Sequence, residues 1–402
     1  MLIFFYILAA VLVYYSFRSL LNAIRYLKYF RTELDKRPSE YTPFASIIAP
    51  CKGLDRGLKE NLTALFEQDY PKYEIIFVVD DEADPALSVI NELIELRERT
   101  KVIIADKAKD SSQKVANLRE AVLHIDERSE ILVFVDSDAR PAADWLSDLA
   151  APLVDENIGA ATGYRWFISP NFSVPSELRV GWNASVASVL GPNMDNNFCW
   201  GGSTAIRRSK FKELDIRNKW AGTVSDDYIL YKVLHDAGLP IYFVPGALTA
   251  SVENCTFREM LEFSTRQIKL TRVYRPSLWI NSLIGSFMFT GVMLAALVIA
   301  LISPLNTFAF AAAMFTLLAV GIFDLTKIWL RLTAVKLALP QYQSRIKGQL
   351  FIQFLFWPLI PMIFLYNSIA ALFSRKIIWR GIEYEMISAH ETRIRKPNSG
   401  NN

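Results

Sequence analysis

A chain of 402 residues with a formal net charge of +3 is long enough for one large domain plus accessory segments. Its dispersed basic residues lack interleaved aromatics, which argues against a nucleic-acid partner, and Cys51, Cys199 and Cys255 stand too far apart for metal ligands and read as reduced thiols. A positive mean hydropathy with 13% aromatic residues is high for a purely soluble protein and directs attention to membrane segments.

The first such segment is "LIFFYILAAVLVYY" at residues 2 to 15, an uncharged run that continues to Arg18 with no small-residue cleavage site after it. It reads as a signal anchor within residues 1–28 rather than a removed leader. Arg18, Arg25, Lys28, Arg31, Lys36 and Arg37 follow it. From residue 44 short β-rich runs alternate with helical ones. "FASIIAP", "YEIIFVVD", "KVIIAD" and "EILVFVD" read as strands; "LKENLTALFEQD", "DPALSVINELIELRER" and "QKVANLREAVLHIDE" read as the helices between them. This order predicts an α/β domain with a mostly parallel sheet covered by helices on both faces, over residues 40–275. Ligands of such sheets sit at the carboxyl ends of the strands. Asp80 and Asp81 end the second strand and Asp136 and Asp138 end the fourth, so both acidic pairs face one sheet edge. Carboxylates this close repel one another, and keeping them ionised requires a cation or strong donors, which a metal with a polyphosphate would supply. Aspartates after strands also serve simply as turn residues.

Beyond Pro276, "SLWINSLIGSFMFTGVMLAALVIALI", a short "SPLN" break and "TFAFAAAMFTLLAVGIF" have the lengths of a transmembrane hairpin over 277–324. A further apolar region, 348–374, carries Pro358 and Pro361 and reads as spanning or re-entrant. Arg272 and Arg275 precede the hairpin and Lys327, Arg331 and Lys336 follow it, so the positive-inside rule puts residues 30 to 275 in the cytosol. The tail, 375–402, is basic as well. Four simple spans would place it on the other side, which favours an interfacial or re-entrant 350–373.

At "CKGLDRGLKENLTALFEQDYPKYEIIFVVDDEADP" the chain resembles the ceramide glucosyltransferase family, inverting nucleotide-sugar glycosyltransferases with the Rossmann-like GT-A fold. The resemblance continues through "KVANL", "FVDSDARP", "CWGGSTAIRRS" and "VSDDYILYKVL", over roughly residues 45 to 275, with an anchor before and a hydrophobic hairpin after it. It implies that Asp81, with Asp84 as a second candidate, meets the uracil or ribose end of a UDP-sugar, and that Lys114 and Asn117 lie beside the donor. Asp136 and Asp138 match the family's motif for the ribose and the diphosphate-bound metal; two oxygen ligands suit Mg2+ or Mn2+. Asp227 holds the position of the catalytic base, and its neighbour Asp226 joins Trp200, Gly201 and Gly202 on the acceptor side. Local roles compete with these: capping for Asp226 or Asp227 in a first helical turn, an exposed helix start for Lys114, a core tryptophan beside a tight turn for Trp200. The stretch "STRQIKLTRVYRP" departs from the family, with Lys269-Leu270 where it has Arg-Trp; Arg266 and Lys269 keep positive charge for phosphates but lose the indole.

The expected function is membrane-bound transfer of one hexose from a UDP-sugar to a lipid acceptor at the cytosolic face. The alternatives are a polyprenyl-phosphate sugar transferase, a processive polysaccharide synthase, which would want an intact Gln-x-x-Arg-Trp and more helices, and a non-catalytic membrane scaffold that retains a nucleotide fold.

Overall fold

The computed structural model describes residues 2–37, 39–95 and 99–395. In chain order the elements are α1 (Leu2–Leu34), β1 (Ala45–Pro50), α2 (Leu58–Phe66), β2 (Tyr73–Val79), α3 (Ala86–Ile94), β3 (Thr100–Ile104), α4 (Gln113–Ala121), β4 (Ile131–Val135), α5 (Trp145–Ala150), β5 (Ala160–Ile168), α6 (Val174–Ala187) and β6 (Ser203–Arg207). They continue with α7 (Arg208–Glu213), α8 (Ile216–Lys219), α9 (Asp226–Asp236), β7 (Ile241–Val252), α10 (Phe257–Tyr274), α11 (Pro276–Ile302), α12 (Phe308–Ala338), α13 (Gln343–Phe356), α14 (Leu359–Phe373), β8 (Lys376–Trp379), β9 (Ile382–Ser388) and β10 (Glu391–Arg395). The last turn expected of the helix after Asp84 reaches residues 96–98, outside the described residues.

Two compact units result. The first takes Glu33–Pro170, Val189–Asn254 and the described residues from Arg375. Its seven-stranded sheet has the order β3-β2-β1-β4-β6-β5-β7, and only β6 runs against the rest. The alternating strand and helix pattern yields this mostly parallel sheet because β1, β2 and β4 are nearly continuous apolar runs, buried along almost their whole lengths. The chain proceeds outward from β1 through β2 to β3, then returns to lay β4 on the other side of β1, with Ile47 opposite both Ile75 and Val133. That reversal opens a crevice at the carboxyl ends of β1 and β4. Because β6 is antiparallel to β4, with Ser203 opposite Val135, the loop before β6 returns to the end of β4.

Residues 376–395, notable in the sequence only for charge, form a three-stranded antiparallel sheet of this same unit. Arg380 and Gly381 both have positive φ, 50° and 76°, and join β8 to β9 as a two-residue hairpin loop. Gln113 N donates to Tyr384 Oη at 3.1 Å, and Thr392 Oγ1 donates to Gly222 O at 2.8 Å. Gly222 is required there: φ is +75° and a Cβ would lie 2.2 Å from His390 O.

The second unit holds Met1–Thr32, Asn171–Ser188 and Cys255–Ser374. Three of its helices, α1, α11 and α12, are long and apolar enough to cross a membrane, and large apolar side chains such as Phe287, Leu301 and Phe315 point outward. Phe5, Ala9 and Leu12 of α1 pack with Val292, Ala296, Ala313 and Val320 of α11 and α12. The segment Pro340–Phe356 and α14 meet at an angle of 75° beside Pro358. The short α6 joins this unit through Trp182, which stacks on Phe364 with ring centroids 5.0 Å apart.

Candidate active site

The site grows from the end of β4. A turn after the strand, with Ala139 N donating to Asp136 O, exposes Asp136 and Asp138 at the crevice. Lys114 arrives in the first turn of α4, whose start is fixed by Ser112 accepting from Val115 N. Its Nζ lies 2.7 Å from Asp136 Oδ1 and 3.2 Å from Asp226 Oδ1, joining the end of β4 to the start of α9. From β5, Arg165 reaches Asp138 Oδ2 at 3.2 Å and Asp136 Oδ2 at 3.7 Å, with its guanidinium 4.8 Å from the Trp200 ring centroid. Asp138 Oδ1 is buried and has no hydrogen-bond partner among the described residues.

The loop before β6 runs close against this cluster at its two glycines. A Cβ on Gly201 would stand 2.3 Å from Asp226 Oδ2 and 2.9 Å from Lys114 Nζ; one on Gly202 would stand 2.3 Å from the Trp200 ring and 2.7 Å from Asp136 Oδ2. Electrostatics sort the acids. Burial works against charge on Asp136, yet Lys114 and Arg165 outweigh it and hold that carboxyl below its usual range. At Asp226 burial prevails over Lys114, and the carboxyl is pushed up to about 6, with Asp227 and Asp136 adding repulsion. Lys114 is raised despite its burial, because Asp136, Asp226 and Asp227 surround it.

The sequence model of glycosyl transferase family 21 matches residues 4–392. The chain belongs to that family. Ceramide glucosyltransferase 1 of Caenorhabditis elegans is 22% identical over 271 residues, 66% of this chain and 58% of the relative. The ceramide glucosyltransferase of Gibberella zeae is 26% identical over 140 residues, 32% of this chain and 26% of the relative. The family 21 chain therefore matches less than two thirds of the length of either. Among solved structures, the mannosyltransferase PcManGT of Pyrobaculum calidifontis in complex with GDP-Man and Mn2+ aligns with a TM-score of 0.46 at 18% identity, covering 92% of this chain and 99% of that one.

Lys114, Asp136, Asp138, Trp200, Gly201, Gly202 and Asp226 thus lie together in the family 21 chain. Asp227 follows on α9, half-buried, its Oδ1 accepting from Tyr228 N at 2.8 Å and from the Ser225 hydroxyl, so it also secures the first turn. The acids after β2 form a separate group. Asp81 is exposed and pairs with Lys107 at 2.9 Å, which holds its carboxyl below the usual range; buried Asp80 pairs with Lys52 at 2.8 Å and Lys107 at 3.1 Å. Asp84 accepts from Gly53 N and Ala86 N, both at 2.9 Å, and so ties the loop after β1 to the start of α3. Asn117 is buried and accepts from Gln113 Nε2 at 2.9 Å. Arg266 and Lys269 belong to α10 of the other unit, Arg266 lying over the Phe263 ring and Lys269 half-buried, its ammonium pKa lowered by burial.

Two cations beside the acidic pair escaped the sequence reading. Arg165 is the lone charge in the apolar strand "AATGYRWFI". Arg380, from the β8–β9 loop, pairs with Asp55 at 2.5 Å, and Asp55 in turn accepts from Ser137 Oγ at 2.6 Å, between the two motif aspartates. Burial works against charge on Arg380, yet Asp55 first, then Asp138 and Asp136, outweigh it and raise the guanidinium pKa. The signal available was "WRGI", a two-residue hairpin loop between apolar runs.

A divalent ion suits this donor set. Asp138 Oδ1 has open lone pairs, and Asp136 offers the second carboxylate two residues away. Among the described residues no group of three or more His, Cys, Asp or Glu side chains could hold a metal, so such an ion would draw the rest of its oxygen shell from a bound diphosphate and water.

Proposed function

We propose that this family 21 chain is a membrane-bound inverting hexosyltransferase that moves one hexose from a UDP-sugar to the hydroxyl of a membrane lipid at the cytosolic face. The observation that carries the reading is Lys114, half-buried and bridging Asp136 to Asp226, which sets a cation between a diphosphate-type motif and the acidic start of α9. The relatives named as ceramide glucosyltransferases support a lipid acceptor and a glucose-type donor.

In this mechanism Asp81 and Asp84 lie toward the nucleoside and Asp136 and Asp138 toward the ribose and diphosphate. Asp138 with Asp136 would hold Mg2+ or Mn2+, which neutralises charge on the departing diphosphate. Lys114, Arg165 and Arg380 add fixed positive charge around the same group. The acceptor oxygen attacks the anomeric carbon opposite the leaving UDP, the carbon–oxygen bond to the diphosphate breaks, and the hydroxyl proton passes to Asp227. Asp227 is favoured over Asp226 because its carboxylate is half-buried and approachable, whereas Asp226 is enclosed against Lys114. Asp226 then positions Lys114, and Trp200, buried against Gly202 with the Arg165 guanidinium beside its ring, shapes the acceptor side.

The basic flanks of the spans support a cytosolic site. The contacts of Arg380, Tyr384 and Thr392 support a reading in which residues 375–395 lie on the same side of the membrane as residues 33–254. Helices α11 and α12 supply two crossings, so the bent pair α13–α14 turns back rather than making a third. The test is incubation of membranes carrying the protein with a panel of radiolabelled UDP-sugars. Label extracted with the lipids from one UDP-sugar supports the reading; label only in solvent-insoluble polymer, or in nothing, contradicts it.

A further inference from the structure

The membrane unit contains a cavity that sugar transfer leaves unexplained. It lies among α6, α12, α13 and α14 and encloses ≈ 510 Å³, its open mouth included. Apolar side chains such as Leu178, Ile328, Phe356 and Ile360 form much of its wall, yet three buried polar side chains also reach it: Glu177, Arg331 and Gln353, none more than 6% exposed. Arg331 Nε, Gln353 Nε2 and Glu177 Oε2 have no hydrogen-bond partner among the described residues. Leaving such atoms bare in an apolar wall is costly, and a native fold keeps them where a ligand satisfies them.

Charge narrows the ligand. Asp324, Lys327 and Arg331 follow one face of α12, just past the end of the apolar run that closes the hairpin. Lys327 pairs with Asp324. Among the described residues Arg331 hydrogen-bonds to neutral groups, Gln353 Oε1 at 3.2 Å and Ser188 Oγ at 3.5 Å, and no carboxylate lies within ion-pair distance of it. A buried guanidinium without a counter-charge is strongly unfavourable. Burial pushes the Glu177 carboxyl up to about 7, so it can carry a proton and donate. The cavity therefore presents N–H donors, a carboxyl able to donate and a guanidinium with no direct ion pair among the described residues, Asp324 being engaged by Lys327, beside a wall suited to acyl chains.

We propose that this cavity binds the phosphate of a membrane lipid, with Arg331 and Gln353 donating to the phosphate oxygens and the chains lying against Phe356 and Ile360. An acceptor-only anion satisfies the open donors and balances Arg331, and guanidinium is the side-chain group best matched to phosphate. The site is separate from the sugar-transfer chemistry and does not depend on that reading.

The test uses the full chain in detergent, with thermal unfolding followed by tryptophan fluorescence against three titrants: short-chain phosphatidic acid, the matching diacylglycerol and inorganic phosphate. A ligand bound only to the folded state raises Tm with concentration. Phosphatidic acid is expected to bind saturably and at least about tenfold more tightly than either other titrant, because it alone joins the charged contact to the apolar one. Arg331→Gln should weaken it by about tenfold or more, and Gln353→Leu, which removes a donor but no charge, by a smaller factor. If Arg331→Gln fails to fold, Gln353→Leu decides. Diacylglycerol binding as tightly as phosphatidic acid would reduce the cavity to an apolar groove, phosphate alone binding as tightly would make it a soluble-anion site, and wild-type affinity in the folded variants would remove these residues from it; each result overturns the proposal.

Discussion

Replacing Lys114 with Met tests whether one ammonium holds the acidic cluster together. The substitution conserves much of the stem and removes a cation 2.7 Å from Asp136 and 3.2 Å from Asp226. Asp136 retains Arg165 at 3.7 Å; among the described residues Asp226 has no other ion-pair cation. Breaking a buried pair by deleting one partner typically costs about 3–5 kcal/mol, but a carboxyl that can take up a proton escapes part of that loss. The sign follows from linkage. Asp226 already has a folded pKa of about 6, above its unfolded value, and losing Lys114 raises it further while leaving the unfolded chain unchanged. Below pH ~6 the carboxyl is protonated in both proteins and its share of the loss is small. As pH rises above that, the wild type ionises and the variant does not, so the penalty grows by about 1.4 kcal/mol per pH unit until the variant's own pKa is passed. Urea unfolding in detergent at about pH 5.5 and about pH 8 should therefore show Lys114→Met destabilised more at the higher pH, by about 3 kcal/mol at most. An equal penalty at both values, or a larger one in acid, would refute the arrangement.

If Asp227 is the base, Asp227→Asn should lower transfer by about 100- to 10,000-fold while metal-dependent UDP binding survives, since the amide cannot take the acceptor's proton; near-normal transfer with Asp226→Asn inactive would move the base one residue upstream. Arg380→Gln should weaken UDP binding by about tenfold, measured by titration calorimetry, because it removes one of the charges that the proposed mechanism sets around the diphosphate and leaves Asp55 buried without its cation. Unchanged affinity would restrict Arg380 to a structural role. Gly222→Ala should lower the urea midpoint, since φ of +75° and a carbonyl oxygen 2.2 Å from the new Cβ together cost about 2 kcal/mol or more; an unaltered midpoint would contradict the docking of the C-terminal sheet.

The strands and helices around Asp136 and Asp138 were legible because their signals are local: a buried apolar run ending in two acids places those acids at a sheet edge whatever the rest of the chain does. Lys114 was legible as a candidate, but its bridging role required the register of α4 against β4 and α9. Arg165 and Arg380 were not found, since each reaches the acids only through tertiary pairing, one across β5 and one from a hairpin more than two hundred residues away. Asp84 was legible as a candidate for the nucleoside end, but that it also accepts from the backbone amides of Gly53 and Ala86 could be read only from the fold. Adjacent acids such as Asp226 and Asp227 are the hardest case, because a helix turns by about 100° per residue and the phase that directs one inward depends on what packs against it. The C-terminal segment was read by charge alone, which concealed the alternation that makes β8, β9 and β10 a sheet.

The central claim, single transfer with inversion onto a lipid, is tested most directly by the product itself. Purified full-length protein would be supplied with one α-linked UDP-sugar, a divalent ion and lipid, and the organic-phase product analysed by NMR for anomeric configuration and by mass spectrometry for hexose count. One hexose in β-linkage to a lipid hydroxyl is the predicted result; an α-linkage, or a ladder of added hexoses, would contradict it.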